Sequence, residues 1–440
     1  MVPHSVEASL AGRLLVLGTG CICEGFLPLL WRHVDVQRSQ VQLLSPDAQG
    51  QALAARHGLR WHCNALSSIG VSEELARWVH TGDVVLNLAL GVDSLQVLDW
   101  CQRHGVLYLD SNLESWPGRA RSLCEARSRA LASRRGGDCT AVIAHGANPG
   151  LVTHFVKQAL SALAPTQGDW AAAAAQLGVR AIQVSEYDSQ AGGEALAAHE
   201  FVNTWSARGL AGELLAPVEI GWGSHESGYP TDAQLRHTTR GTAVQLAELG
   251  RETVVRTWAP SSGCFDAFVL AHHESLSISD LLTTSSGERP TVMYAVRPCP
   301  AARAASANLT KLVPRHGRVL KAEVHGGGNE LGVLLLGDQL THWYGSRLSL
   351  ARARAIAPDN NATSLQVAAG VLGALVWVLE NPRRGVVEAE DMDHRRVLAV
   401  AAPYLGELGG VSTPWRPDRG LRFTDFRVPS QPARFERATN

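Results

Sequence analysis

Along the first 150 residues, short apolar runs alternate with stretches whose apolar residues recur at helical spacing. RLLVLGTG (13–20) stops at glycines and is followed by EGFLPLLWRHV (24–34), which has a helical pattern. VQLLSP (41–46) precedes a helix in AQGQALAARHGL that ends at Gly58. VVLNLAL (84–90), DSLQVLDWCQRHG (93–105), VLYLDS (106–111), SLCEARSRALASRR (122–135) and TAVIAHGANPG (140–150) continue the alternation. Strands and helices joined by short connections predict right-handed crossovers and a parallel sheet covered on both faces, so residues 1–150 read as a doubly wound α/β domain.

The pattern changes after Gly150. LVTHFVKQALSAL and WAAAAAQLG are helical, and from Arg180 onward come the strand-like runs AIQVSEYD, FDAFVLAHHESLSI, TVMYAV and LGVLLLGDQLTHWYG. Successive strands with few helices predict a second, α+β domain over 151–350 with a largely antiparallel sheet. Residues 349–382 supply two helices, the second capped near Asn361 to Thr363 and stopped at Pro382. Residues 351–415 are expected to return and pack on the first domain, and the polar, proline-bearing 416–440 to form a loosely held tail.

Composition narrows the function classes. The chain has 440 residues, 45% apolar and 18% charged, which suits two ordinary globular cores. A net charge of -1 gives no electrostatic footprint for nucleic acid or an anionic membrane. Eight cysteines without repeated CxxC spacing fit the reduced thiols of a cytoplasmic protein, and no metal-ligand spacing is present. The longest apolar run, Val367 to Leu379, is too short to span a bilayer and reads as a buried helix.

VLGTGCIC places Gly18 and Gly20 between a strand and a helix, where backbone N–H groups, including those of Cys21 and Ile22, can receive a pyrophosphate. The third fingerprint position is Cys23, with Gly25 two residues on. At the end of the second strand, where an acidic residue would hold a ribose 2'-OH, stand Ser45 and then Asp47. No arginine follows directly, which favours NAD over NADP. Ligands of open parallel sheets lie at the carboxyl ends of the strands, so Asn87 and Asp110 should face the cofactor, with Glu114 and Asn148 near its nicotinamide. Elsewhere, the window Glu186 to Asp232 holds eight carboxylates against the single Arg208. A solvated acidic face explains such a window, and so does a site for a cationic ligand.

The collinear stretches YLDSNLESW, TAVIAHGANPGLVTHFVKQAL, FVNTWS, IGWG, HHESLSISD, ELGVLLLG, HWYGSRLSL, APDNNATSLQV and VWVLENP, from about Arg13 to Trp415, resemble bacterial homospermidine synthase, a relative of the saccharopine dehydrogenase group. The resemblance implies a Rossmann NAD domain, a homodimer and a tightly held NAD. The implied reaction makes sym-homospermidine from two putrescines, or from putrescine and spermidine, through an imine with release of ammonia or diaminopropane. It further implies that Trp205 is a cation-π residue beside the reacting carbon. Glu186 and Glu213 match the inner carboxylates, Asn148 the amide beside the cofactor, and Glu114 and His272 the outer amine-site groups. Two positions depart from the family pattern: Gly91, with Asp93 nearby, and Asn329 stand where acidic residues are usual. The rival readings are a reductive coupling enzyme of the saccharopine or carboxynorspermidine kind, whose carboxylate-bearing substrates call for site arginines, the same chemistry on a different amine, and a nucleotide-binding homologue without turnover.

Overall fold

Strands covered on both faces read as nearly continuous apolar runs, and Leu14–Leu17, Val41–Ser45, Val84–Asn87 and Leu107–Asp110 are buried at every position. The computed structural model describes residues 5–119, 121–134, 137–165, 168–192, 200–309 and 317–428. In it these strands belong to a seven-stranded parallel sheet. Its order is Val386–Val387, Ala141–Val142, Leu107–Asp110, Val84–Asn87, Leu14–Leu17, Val41–Ser45 and Arg60–Cys63. The chain direction of winding reverses at Leu14–Leu17, which opens a crevice at the carboxyl ends of that strand and its neighbour Val84–Asn87.

The second sheet has ten strands and is antiparallel except at its centre, where Val179–Asp188 runs parallel to Thr291–Arg297. Gly328–Gly337 pairs antiparallel with the other side of Val179–Asp188, so this strand is buried among its neighbours along almost its whole length. The run FDAFVLAHHESLSI is not one strand. The strand ends at Leu270, and a helix, His273–Leu281, starts three residues later.

Residues 351–415 are not only helical. Helix Ala362–Glu380 packs on helix Cys21–His33 and on His394–Ala401. Val386–Val387 then joins the edge of the first sheet, and Glu407–Ser412 pairs with Thr341–Ser349 in the second. Helix 362–380 is long and apolar enough to cross a membrane, but nearly all of it is covered by protein. The expected loose tail is anchored over 416–428: Phe423 and Phe426 are buried, and Val428 N–H donates to the Val254 carbonyl at 3.0 Å. Aromatic burial outweighs the polar composition there. Residues 429–440 lie outside the described residues.

Helix 362–380 meets the loop that carries Asn148 at a glycine. A Cβ on Gly370 would lie 2.0 Å from the Gly146 carbonyl oxygen. Gly370→Ala is therefore expected to destabilise the protein by about 1–3 kcal/mol through overpacking. Urea unfolding of the purified variant measures this, and an unchanged midpoint would show that the loop moves aside freely.

Candidate functional site

The crevice begins at the glycine loop. Gly18 has φ +88°, and a Cβ there would lie 2.9 Å from the Leu88 carbonyl oxygen, so only glycine lets the two strand ends approach. Gly20 is the N-cap of helix Cys21–His33 and offers no side-chain cap, while a Cβ on it would meet nothing within 4 Å. The first-turn N–H groups, those of Cys21 and Ile22 among them, are thus left for a ligand. Gly25 serves another contact: a Cβ would come within 2.4 Å of Asn360 Nδ2 and 3.2 Å of Ala368. The displaced third glycine fits helix against helix.

The remaining cofactor candidates divide. Ser45 is buried, its hydroxyl 2.8 Å from that of Thr19 and accepting from Trp61 Nε1 at 3.1 Å. Asp47 is exposed. Asn87 accepts from the Ala89 N–H at 3.2 Å and so shapes the turn beside Gly18. The Asp110 carboxylate is taken up by partners within the first domain. Fully buried, it accepts from Tyr108 Oη at 2.7 Å and from the Ala144 N–H, and burial pushes its pKa up to about 7. Its place is beneath the loop 144–150, which it holds.

That loop delivers Asn148, whose Nδ2 donates to Glu186 Oε2 at 3.2 Å. Glu186, on the central strand of the second sheet, is buried and also accepts from Tyr294 Oη and from Asn329 Nδ2 at 2.9 Å. Burial raises its pKa, and the hydrogen bonds from Tyr294 and Asn329 oppose that rise. The ring of Tyr294 lies against His272, with centroids 4.0 Å apart. His272 is held between Glu274 Oε1, 3.2 Å from Nδ1, and Glu213 Oε1, 3.5 Å from Nε2. Burial lowers its pKa, but the two carboxylates more than compensate and push it up to about 10, so His272 is an imidazolium at neutral pH. Glu114 accepts from the Gly91 N–H and from Asn112 Nδ2, each at 3.2 Å. Burial raises its pKa, and Glu213 adds to the rise.

Trp205 is partly exposed, between strand Phe201–Asn203 and helix Ala207–Leu214, whose last turn carries Glu213. Its predecessor Thr204 gives its carbonyl to Asn361 Nδ2 and Ser364 Oγ, and Asn360 Nδ2 donates to the Cys21 carbonyl at 3.0 Å. The backbone before Trp205 is thereby linked, through Asn361 and its neighbour Asn360, to the first residue of the glycine-loop helix. A Cβ on Gly209 would come within 3.1 Å of Trp205 Cζ3, so the indole lies against a helix turn that has no side chain there. Among the described residues no other ring or cation stacks on it.

Most of the acidic window does other work. Glu219 caps helix Leu123–Ala132 through the N–H groups of Leu123 and Cys124. Glu226 accepts from Thr291 Oγ1 and the Phe423 N–H, Glu200 pairs with Arg318, and Asp188 accepts from Gln190, Thr204 and Thr363. Glu194 lies outside the described residues. Only Glu186 and Glu213 converge with His272 and Tyr294. Asp93 is taken by Arg121, 2.7 Å away. Surface cavities of about 270 Å³ beside Arg297 and about 360 Å³ beside Trp116 contain none of these converging groups. Sequence reasoning missed Glu274 and Tyr294. Glu274 is visible as the acid two residues after His272, whereas Tyr294 needed the strand register.

Known proteins resemble this chain over most of its length. The family model described as saccharopine dehydrogenase NADP binding domain matches residues 14–182, and that described as saccharopine dehydrogenase C-terminal domain matches 146–412. A homospermidine synthase from Blastochloris viridis is 38% identical, with 96% of this chain and 95% of the relative aligned. One from Mesorhizobium japonicum is 35% identical, over 94% and 92% respectively. The crystal structure of homospermidine synthase from Legionella pneumophila, in complex with NAD, superimposes with a TM-score of 0.90 at 36% identity, covering 96% of this chain and 99% of that one. With more than a third of the aligned positions identical and the alignment covering nearly the whole chain, this chain belongs to the homospermidine synthase family.

Proposed function

We propose that this protein couples two putrescines, or putrescine and spermidine, into sym-homospermidine with NAD as a retained cofactor, releasing ammonia or diaminopropane. The observation that carries the proposal is a set of carboxylates without arginine or lysine. Among the described residues Glu114, Glu186, Glu213 and Glu274 form no ion pair with Arg or Lys, and His272 is their one internal cation. Such a cluster suits a ligand that is itself cationic. A reductive coupling of carboxylate-bearing substrates would need the opposite charge.

The glycine loop fits the cofactor. Gly18 permits the close strand approach, and uncapped N–H groups after Gly20 suit a pyrophosphate. Neither Ser45 nor Asp47 offers positive charge to a 2'-phosphate, which favours NAD over NADP. A bound NAD would supply reversible hydride transfer between the amine-bearing carbon and the coupled imine, which would leave the reaction redox-neutral. Trp205 presents an indole face to the cationic imine, an attraction worth roughly 2 kcal/mol when desolvated. Asn148 orients Glu186 from the cofactor side. Glu186 and Glu213 hold and move the amine's protons, because an attacking amine must first lose one. Glu114 and His272 bound the outer end. The family resemblance extends the proposal to a cytoplasmic homodimer whose partners are small polyamines, and the near-neutral net charge supports the absence of a nucleic-acid or membrane partner.

Stoichiometry tests the proposal. With putrescine and substoichiometric NAD, mass spectrometry should find homospermidine and ammonia in severalfold excess over cofactor, with free NADH absorbance near its starting value. Product limited to one equivalent per nicotinamide, or dependent on added NADH, would leave the reductive reading instead.

Trp205→Phe should keep part of the activity and Trp205→Ala lose most of it, on the order of thirtyfold for ~2 kcal/mol, with folding intact by circular dichroism. Equal losses would make Trp205 a packing residue.

The His272 imidazolium makes a pH prediction. Its pKa is raised by folding to about 10. Its stabilisation is thus complete below the unfolded value near 6.5 and is lost as pH rises towards 10, by roughly a kcal/mol per pH unit. Denaturant unfolding of wild type and His272→Gln should differ by this slope above neutral pH. Parallel curves would show that His272 does not titrate there.

A further inference from the structure

Glu186 is held by a chain of hydrogen bonds that runs away from the crevice. Asn329 Nδ2 donates both to Glu186 Oε1 at 2.9 Å and to Gln366 Oε1 at 2.8 Å. Gln366 Nε2 donates to Ser346 Oγ at 2.7 Å, and Ser346 donates to the Leu405 carbonyl at 2.6 Å. Both ends of this chain are oxygens that accept only: a backbone carbonyl at one end and a carboxylate at the other. The single hydroxyl proton of Ser346 is spent on Leu405, so Ser346 must accept from the amide of Gln366. Gln366 then presents its oxygen to Asn329, and Asn329 must turn its NH2 to Gln366 and to Glu186 together. Asn329, Ser346 and Gln366 are almost wholly buried, so losing a partner would leave a buried polar group unpaired.

We infer that Asn329, locked by Gln366 and Ser346, is a positioning residue that fixes Glu186 as an ionised acceptor towards the amine. The inference rests on the proposed function only for the identity of the amine. An amide holds Glu186 without adding charge, whereas a carboxylate at 329 would have to share a proton with it. The charged and titratable groups around Glu186 are Asp188 on its own strand, Tyr294 on the parallel neighbour and His272 beyond it. Glu213 and Glu274 face Tyr294 from the His272 side.

Infrared difference spectra recorded across pH on the full chain without substrate read the carboxyl band of Glu186, which Glu186→Gln identifies by its loss. Asn329→Leu removes the donor and Asn329→Asp adds a competing carboxylate, and each should move the Glu186 titration up by about one pH unit or more. Ser346→Ala, a small change that lets Gln366 turn over, should move it the same way by less, and it decides the matter alone if the Asn329 variants do not fold. Unchanged titration in folded Asn329→Leu or Ser346→Ala would reduce the chain to packing and overturn the inference. A shifted titration in a protein that turns over no diamine would keep the inference and remove the homospermidine reading.

Discussion

The polar first turn of a buried apolar helix ties the two domains at the place where they must cooperate. Before helix 362–380 begins, Asn360 reaches the Cys21 carbonyl beside the glycine loop, and Asn361 reaches the carbonyls of Thr204 and Leu320. Thr363 and Ser364 continue the knot to Asp188 and Thr204, and the Ala362 N–H donates to Gln190 at 2.8 Å. Each of these buried groups would cost about 1–3 kcal/mol if left unpaired, so the knot forms as a whole or is expensive to break. It fixes Trp205 relative to the cofactor loop through backbone, not through the indole itself. Lys321, next to Leu320, adds an ion pair to Glu24 at 2.7 Å in the first turn of the glycine-loop helix.

The acidic window shows how one composition signal can mix two physical roles. Glu219, Glu226 and Asp188 are satisfied by N–H and hydroxyl donors within the protein, which is how a fold accommodates buried carboxylates without cations. Glu213 keeps one oxygen buried and without a partner among the described residues, as does Glu274. Both oxygens belong to the carboxylates that flank His272.

The sequence made the first domain legible where strands were continuous apolar runs and turns ended at glycines such as Gly58, which is left-handed at the helix end. Arg60–Cys63 was not legible, because an edge strand of RWHC has no apolar run, and Val386–Val387 is two residues long and joins its sheet from over 240 positions away. ELGGVS hid a strand behind two glycines. At the candidate site, motif resemblance brought out Asn148, Glu186, Glu213 and His272, which the fold gathers. It could not separate Asp110, whose carboxylate is taken by Tyr108 and the Ala144 N–H, from the other residues at strand ends. Tyr294 and Gln366 carry no motif of their own. They enter only through the register of Thr291–Arg297 beside Val179–Asp188 and the face that helix 362–380 turns to the second sheet.

A diamine arrives with two positive charges and must shed a proton before it can attack. The four glutamates of the candidate site stand in two kinds of environment. Glu213 and Glu274 flank His272, whose pKa their charges push up to about 10. Glu186 and Glu114 make no ion pair among the described residues, and burial raises the pKa of both, with His272 opposing the rise at Glu186. A hydrolysable imine between two hydride transfers also requires that water stay out, and a domain junction closed by the Asn360–Asn361 knot on one side and the Arg127–Glu388–His273 network on the other is built to limit relative motion. The rigidity that costs buried polar pairing is therefore on the same elements that the coupling chemistry needs held still.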